Sequence, residues 1–146
     1  MARTILAWLA ATMLMVSCQA VVPAETKTVM GGDGRPNEAT FEAAQPRRSD
    51  VAREAAMAVA LEHLKVVDPG VVVDDARFVV VALRVAEDGA TILSRRRAWW
   101  VVVKGERFPV TACMCDGSPY NLGTAVVVDA ESGGVVTTVG VSRDSD

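Results

Sequence analysis

Histidine and cysteine are scarce in this chain: 146 residues hold one His and three Cys. A lone imidazole, His63, argues against a zinc site, which takes about four ligands. It also leaves no base–nucleophile pair, because no Ser or second Cys stands at a recognised spacing from it. Basic charge is short as well, with Lys+Arg 15 against Asp+Glu 18. A mildly acidic chain lacks the clustered cations that a nucleic-acid backbone demands. Aromatics are few and there is no internal repeat. The glycine-dense stretch Gly31-Gly32-Asp33-Gly34 does not lie between a strand and a helix, which excludes a phosphate-cradling loop.

What is present begins with the first eighteen residues. A short start carrying Arg3 leads into an apolar run, Ile5 to Val16, and then Ser17-Cys18. The order basic, apolar, small is that of an export signal, and the run is too short to cross a bilayer as a stable helix. The sequence Met15-Val16-Ser17-Cys18 resembles the lipobox of bacterial lipoproteins, with Met15 where Leu is usual. Cleavage after Ala20 or Ala24, or retention as an anchor, are the alternatives. Lipidation of Cys18 would also account for the odd cysteine count. Several acyl chains hold more firmly than one, each buried methylene contributing about 0.8 kcal/mol. Gln19 after the Cys resembles the outer-membrane class of two-membrane bacteria. The expected location is therefore the cell envelope, extracytoplasmic and lipid-anchored; a secreted or periplasmic soluble form is the alternative.

Removing residues 1–17 leaves 129, a one-domain length, with 14 Lys+Arg against 18 Asp+Glu. Residues 18–48 carry Pro23, Pro36, Pro46 and four of their residues in Gly31-Gly32-Asp33-Gly34, with scattered apolar positions and no sustained period. They read as a flexible tether. The folded domain is expected over 49–146. Ser49-Asp50 can cap a helix from Val51 to about Val66, whose apolar stripe is Ala56, Met57, Ala60, Leu61 and Leu64. Asp68-Pro69-Gly70 stops it.

The period then changes to two. Val79, Val81, Leu83 and Val85 alternate against Phe78, Val80, Ala82 and Arg84. Further strands are expected at Arg97 to Lys104, Phe108 to Cys115, Thr124 to Asp129 and Val135 to Val139. Glu87-Asp88-Gly89 and Glu131-Ser132-Gly133-Gly134 are turns. The expected fold is α+β, one N-terminal helix packed on a 4–5 stranded antiparallel sheet.

The ending Ala125-Val126-Val127-Val128-Asp129-Ala130-Glu131-Ser132-Gly133-Gly134-Val135-Val136 resembles the closing hairpin of PepSY domains. An Ala-rich helix, Ala52 to Leu64, then a strand, then an aromatic with alternating Val at Trp99-Val101-Val103 or Trp100-Val102, follow that family's order over roughly residues 50–140. The segment Glu106 to Gly123 departs from it. The resemblance implies a small exported binding module, thought to bind or restrain peptidases, and brings no catalytic residues.

The candidate sites are few. Cys113 and Cys115 on a strand would put their Cβ atoms about 7 Å apart, beyond the 3.8 Å of a disulfide unless the chain bulges. They read as a packed or oxidised pair, with a thiol-based Cu(I) or redox site as the alternative. Arg95-Arg96-Arg97 beside Trp99-Trp100 suggests a partner contact, because alternation leaves one Trp exposed. Asp74-Asp75 and Glu87-Asp88 read as solvated turn carboxylates. No catalytic residue, metal or cofactor is expected. The function expected is a non-enzymatic envelope lipoprotein that binds a protein or peptide. Mass spectrometry of the mature N-terminus is expected to find an acylated Cys18; a chain beginning at Met1 would overturn the export reading.

Overall fold

In this computed structural model residues 23–105 and 122–142 are described. Their elements run β1 (Glu25–Met30), β2 (Pro36–Ala43), α1 (Arg53–Lys65), β3 (Val72–Val85), β4 (Thr91–Lys104), β5 (Leu122–Asp129) and β6 (Val135–Ser142). Every neighbouring pair is antiparallel, and β1 returns to β6 at Val29↔Val141 and Met30↔Gly140, closing a barrel. The expected α+β architecture, a helix ahead of an open 4–5 stranded sheet, is thereby corrected. Six strands are described and the helix is inserted after the second. The sheet arrangement implied by the PepSY resemblance is corrected with it.

The two additional strands come from the stretch read as a tether. β1 contributes Val29 to the interior, and β2 contributes Asn37, Ala39 and Phe41, all buried. An inward row that reads Asn, Ala, Phe carries little periodic apolar signal by itself. Pairing with β3 from Asn37↔Val85 to Ala43↔Val79 is what buries it. Gly31 to Arg35 is the hairpin turn, with Gly31 N–H donating to Arg35 O at 2.8 Å and Gly34 at φ +77°. That left-handed backbone suits Gly.

Two apolar cores stand on the two faces of one sheet. The interior holds Val29, Phe41, Val79, Val81, Leu83, Leu93, Trp100 and Val127. The outer faces of β3, β4 and β5 supply Phe78, Trp99, Val101, Val103, Val126 and Val128, covered by Ala56, Ala60 and Leu64 of α1. The alternation expected for Arg77 to Ala86 is thus realised, with Val79, Val81 and Leu83 inward and Phe78 outward. The helix stripe also falls as expected, and its Ala residues let the helix backbone approach the sheet.

Its start differs from the expectation. Ala52 occupies the cap position, without a side-chain cap bond. The helix entry is tied instead by Val51 N–H to Ala130 O at 2.8 Å and by the Trp99 indole N–H to Val51 O at 2.8 Å. Asp50 is drawn away to Arg97. The strand expected at Phe108 to Cys115 lies outside the described residues.

Replacing Ala60, fully buried on the sheet-facing side of α1, by Leu is expected to lift the helix and cost about 1–3 kcal/mol. Thermal unfolding of the variant checks this.

Candidate functional site

The two tryptophans do not form the exposed contact expected of them, whereas Arg95, Arg96 and Arg97 line a surface groove of about 760 Å³ with Arg47, Asp50 and Asp129. Trp99 and Trp100 are adjacent on β4, so they point to opposite faces, and both faces are covered. Their exposures are 6 % and 2 %. Each ring meets a Phe edge-on: Phe78–Trp99 at 5.2 Å and Phe41–Trp100 at 4.7 Å. The three guanidiniums are each matched by a carboxylate. Arg95 pairs with Glu42, Arg96 with Asp129 at 3.3 Å, and Arg97 with Asp50 at 2.5 Å. Alternation alone predicted an exposed Trp because it assumed an open sheet with one covered face.

These clasps set the acid behaviour of the patch. The Arg47 backbone N–H, and then the Arg97 guanidinium, hold the Asp50 carboxyl below its ordinary value of 3.8. Asp129 is lowered chiefly by the Ser132 backbone N–H at 2.7 Å, with its hydroxyl, the Glu131 N–H and Arg96 adding to it against the cost of partial burial. This is the Asp-Ala-Glu-Ser turn of the closing hairpin, whose Gly133 takes φ +70°.

Other sequence candidates disperse. His63 is exposed on α1, its Nε2 at 3.4 Å from Thr138 Oγ1. Asp74 and Asp75 lie in β3 rather than in a turn, with Asp74 at a bulge and paired to Lys104. Asp88 closes the β3–β4 turn as expected, accepting from Ala90 N–H at 2.9 Å. Cys18, Cys113 and Cys115 lie outside the described residues. Among the described residues no group of three His, Cys, Asp or Glu could hold a metal ion. No described helix is long and apolar enough to cross a membrane.

Among the described residues the barrel interior is open at the end where β1 starts and β4 finishes. A cavity of about 360 Å³ there is lined by Lys27, Phe41, Asp75, Arg77, Trp100 and Lys104 among others. Strand parity builds it. Arg77 stands on the inward row of β3 two residues before Val79, directly opposite Trp100 on β4. Phe41 from β2 and Val102 from β4 complete the apolar wall.

Gly123 contributes by having no side chain, since a Cβ there would come within 3.2 Å of Val141. At the other end of the barrel Asn37, 5 % exposed, sits beside the Gly31 turn. A Cβ on Gly31 would lie 2.7 Å from its Nδ2, and a smaller cavity of about 250 Å³ opens beside this turn.

The rim balances Lys27, Arg77 and Lys104 against Glu25, Asp74 and Asp75. Glu25 reaches Lys27 at 3.0 Å and Arg77 at 3.6 Å. The Arg77 guanidinium lies over the Phe41 ring at 4.9 Å, and its Nε is buried without a hydrogen-bond partner. Leaving a buried donor unmatched costs about 1–3 kcal/mol, more for a charged group. Native structures leave few such groups, and each asks for an explanation.

This mouth was missed in the sequence because its members come from all six strands, two of them unrecognised. One signal was available: Arg77 interrupts an inward row that otherwise reads Val79, Val81, Leu83.

No family model matches the chain, and no curated protein or solved structure matches it either. The geometry of the mouth therefore carries the functional argument alone.

Because Asp50 and Asp129 are lowered in the folded chain, the unfolded chain takes up protons first as pH falls past 3.8. The stability these groups contribute is complete above that value and is lost as pH drops through their folded values. Melting temperatures across pH 7 to 2 are expected to show Asp129→Asn less stable than the parent at neutral pH and converging on it in acid. A gap independent of pH would refute the role given to the carboxylate.

Proposed function

We propose that the protein is a non-enzymatic, extracytoplasmic binding module, carried on a lipid at Cys18, whose contact with an envelope protein or peptide is the open mouth of the barrel. The observation that carries this reading is the mouth itself. It combines an aromatic floor, a rim of both charge signs and a buried guanidinium nitrogen without an acceptor. Binding sites are commonly concave and mostly apolar, with a few placed polar groups, and the mouths of β-barrels are among their preferred places.

A peptide suits it better than a lipid cargo. About 360 Å³ accommodates one or two residues rather than an acyl chain, and the charged rim favours a polar chain. Val66, 91 % exposed, and Val67 follow α1, and Val72 opens β3 opposite Lys104; together they offer an apolar step for residues outside the cavity. β-Strand addition is less favoured, since β2 to β5 have both sides paired and only the short stretch Glu25 to Thr28 of β1 lacks a β6 partner.

The experiment is retention of envelope polypeptides by the acylated protein, compared with Arg77→Met and Arg96→Gln. A polypeptide held by the parent and by Arg96→Gln but lost with Arg77→Met is the expected result, with thermal unfolding verifying that both variants fold. Equal retention by all three, or retention of nothing, would overturn the mouth as the contact.

A further inference from the structure

We infer that the group seated in the barrel mouth is a carboxylate on a short aliphatic stem, the chemistry shared by the end of a peptide chain and a small free acid. The inference rests on the mouth being the contact surface and adds what it recognises.

The first observation is a comparison of two arginines held alike. Arg97 lies over Phe78 at 5.1 Å and Arg77 over Phe41 at 4.9 Å, and both leave Nε buried without a partner. At Arg97 the outer nitrogen is met closely, by Asp50 at 2.5 Å and by Gln45 O at 3.1 Å. At Arg77 the one ion pair, to Glu25, is 3.6 Å long. Arg97 borders the outer surface beside its carboxylate, whereas Arg77 faces a cavity. The same stacked guanidinium is closed by protein acceptors at Arg97, whereas at Arg77, 38 % exposed, its outer nitrogens are open to what enters the cavity.

The second observation is Trp100. Trp99 gives its indole N–H to Val51 O. The Trp100 side chain, 2 % exposed, lines the mouth, and its indole nitrogen is not among the buried atoms left unmatched, so its N–H meets the cavity. Arg77 and Trp100 are direct partners across β3 and β4. Opposed residues on one face have Cβ atoms about 5 Å apart, so one small group can reach both.

Two neighbouring donors ask for an acceptor-only ligand with two oxygens, and a carboxylate is that group. Ammonium ligands would meet Arg77 as a like charge. Of the opposing rim carboxylates, Asp74 is engaged by Lys104 and Glu25 by Lys27 and Arg77. Asp75 remains as a like charge, which places the bound carboxylate deep, against Arg77 and Trp100. Phe41, Val102 and Val141 then surround the stem.

The test follows the indole N–H signals of the 15N-labelled mature protein, in which Trp99→Phe assigns the two. The probes are propionate, N-acetyl-Ala-Ala as the free acid, and the same dipeptide as its C-terminal amide. The Trp100 signal is expected to move downfield with the acids and not with the amide, and the Trp99 signal to stay. Arg77→Met is expected to weaken acid binding at least about tenfold, the scale of a hydrogen bond to a charged group.

Tighter binding of the dipeptide acid than of propionate identifies a chain end, and equal binding identifies a small free acid; either supports the carboxylate. An amide that binds as tightly as the acid overturns it. A Trp100 signal unmoved by any probe overturns it too. If polypeptide retention nevertheless depends on Arg77, the mouth survives that failure; if it does not, both readings fall.

Discussion

Two tryptophans side by side on one strand are both buried here, and that rests on a sheet covered on both faces. Trp99 and Trp100 cannot share a face in a β-strand, so burying both large rings takes a cover on each side. α1 lies over Trp99, with Ala56 and Ala60 small enough to let it approach, and the entering chain takes the indole N–H at Val51 O. Over Trp100 the sheet curls on itself, and β2 brings Phe41 across to meet the ring. The helix after β2 and the closure of β1 on β6 are two answers to one constraint.

The same constraint explains why charge is arranged as it is. With both indoles buried, the Arg95 to Arg97 run is left at the edge of the outer core. Each guanidinium is then neutralised by a carboxylate from a different part of the chain: Glu42, Asp129 and Asp50. Exposed pairs of this kind contribute little individually. Arg97, through Asp50 and Gln45 O, ties the linker 44–52 to β4 just ahead of α1, while the other two pairs join β4 to β2 and to β5. At the open end the inward Arg77 has no comparable set of acceptors, and the interior row of β3 ends in a charged group facing a cavity. Fold and candidate site are continuous there, because the mouth is the place where the inner core runs out of apolar residues.

Much of the local structure was legible in the residues. The α1 stripe, its stop at Asp68-Pro69-Gly70, the alternation of Val79, Val81 and Leu83, and the Asp129 to Gly134 hairpin all follow from periodicity and turn chemistry. β1 and β2 did not show. Their inward residues are Val29, Asn37, Ala39 and Phe41, and a proline opens β2, so the pattern resembles a linker until a neighbouring strand buries it. The mouth was still less legible, because its walls are Lys27, Phe41, Arg77 and Trp100, residues up to 73 positions apart that only the register aligns.

The sequence by itself determined which residues alternate, where the helix stops and where the hairpins turn. Those are properties of neighbours within a few residues, governed by backbone sterics and side-chain period. Only the tertiary structure decided that the sheet closes, that both tryptophans are covered, that the arginine run is matched carboxylate by carboxylate, and that Arg77 looks into a cavity. Each of these depends on long-range pairing, and a side chain's exposure is set by what the rest of the chain places above it.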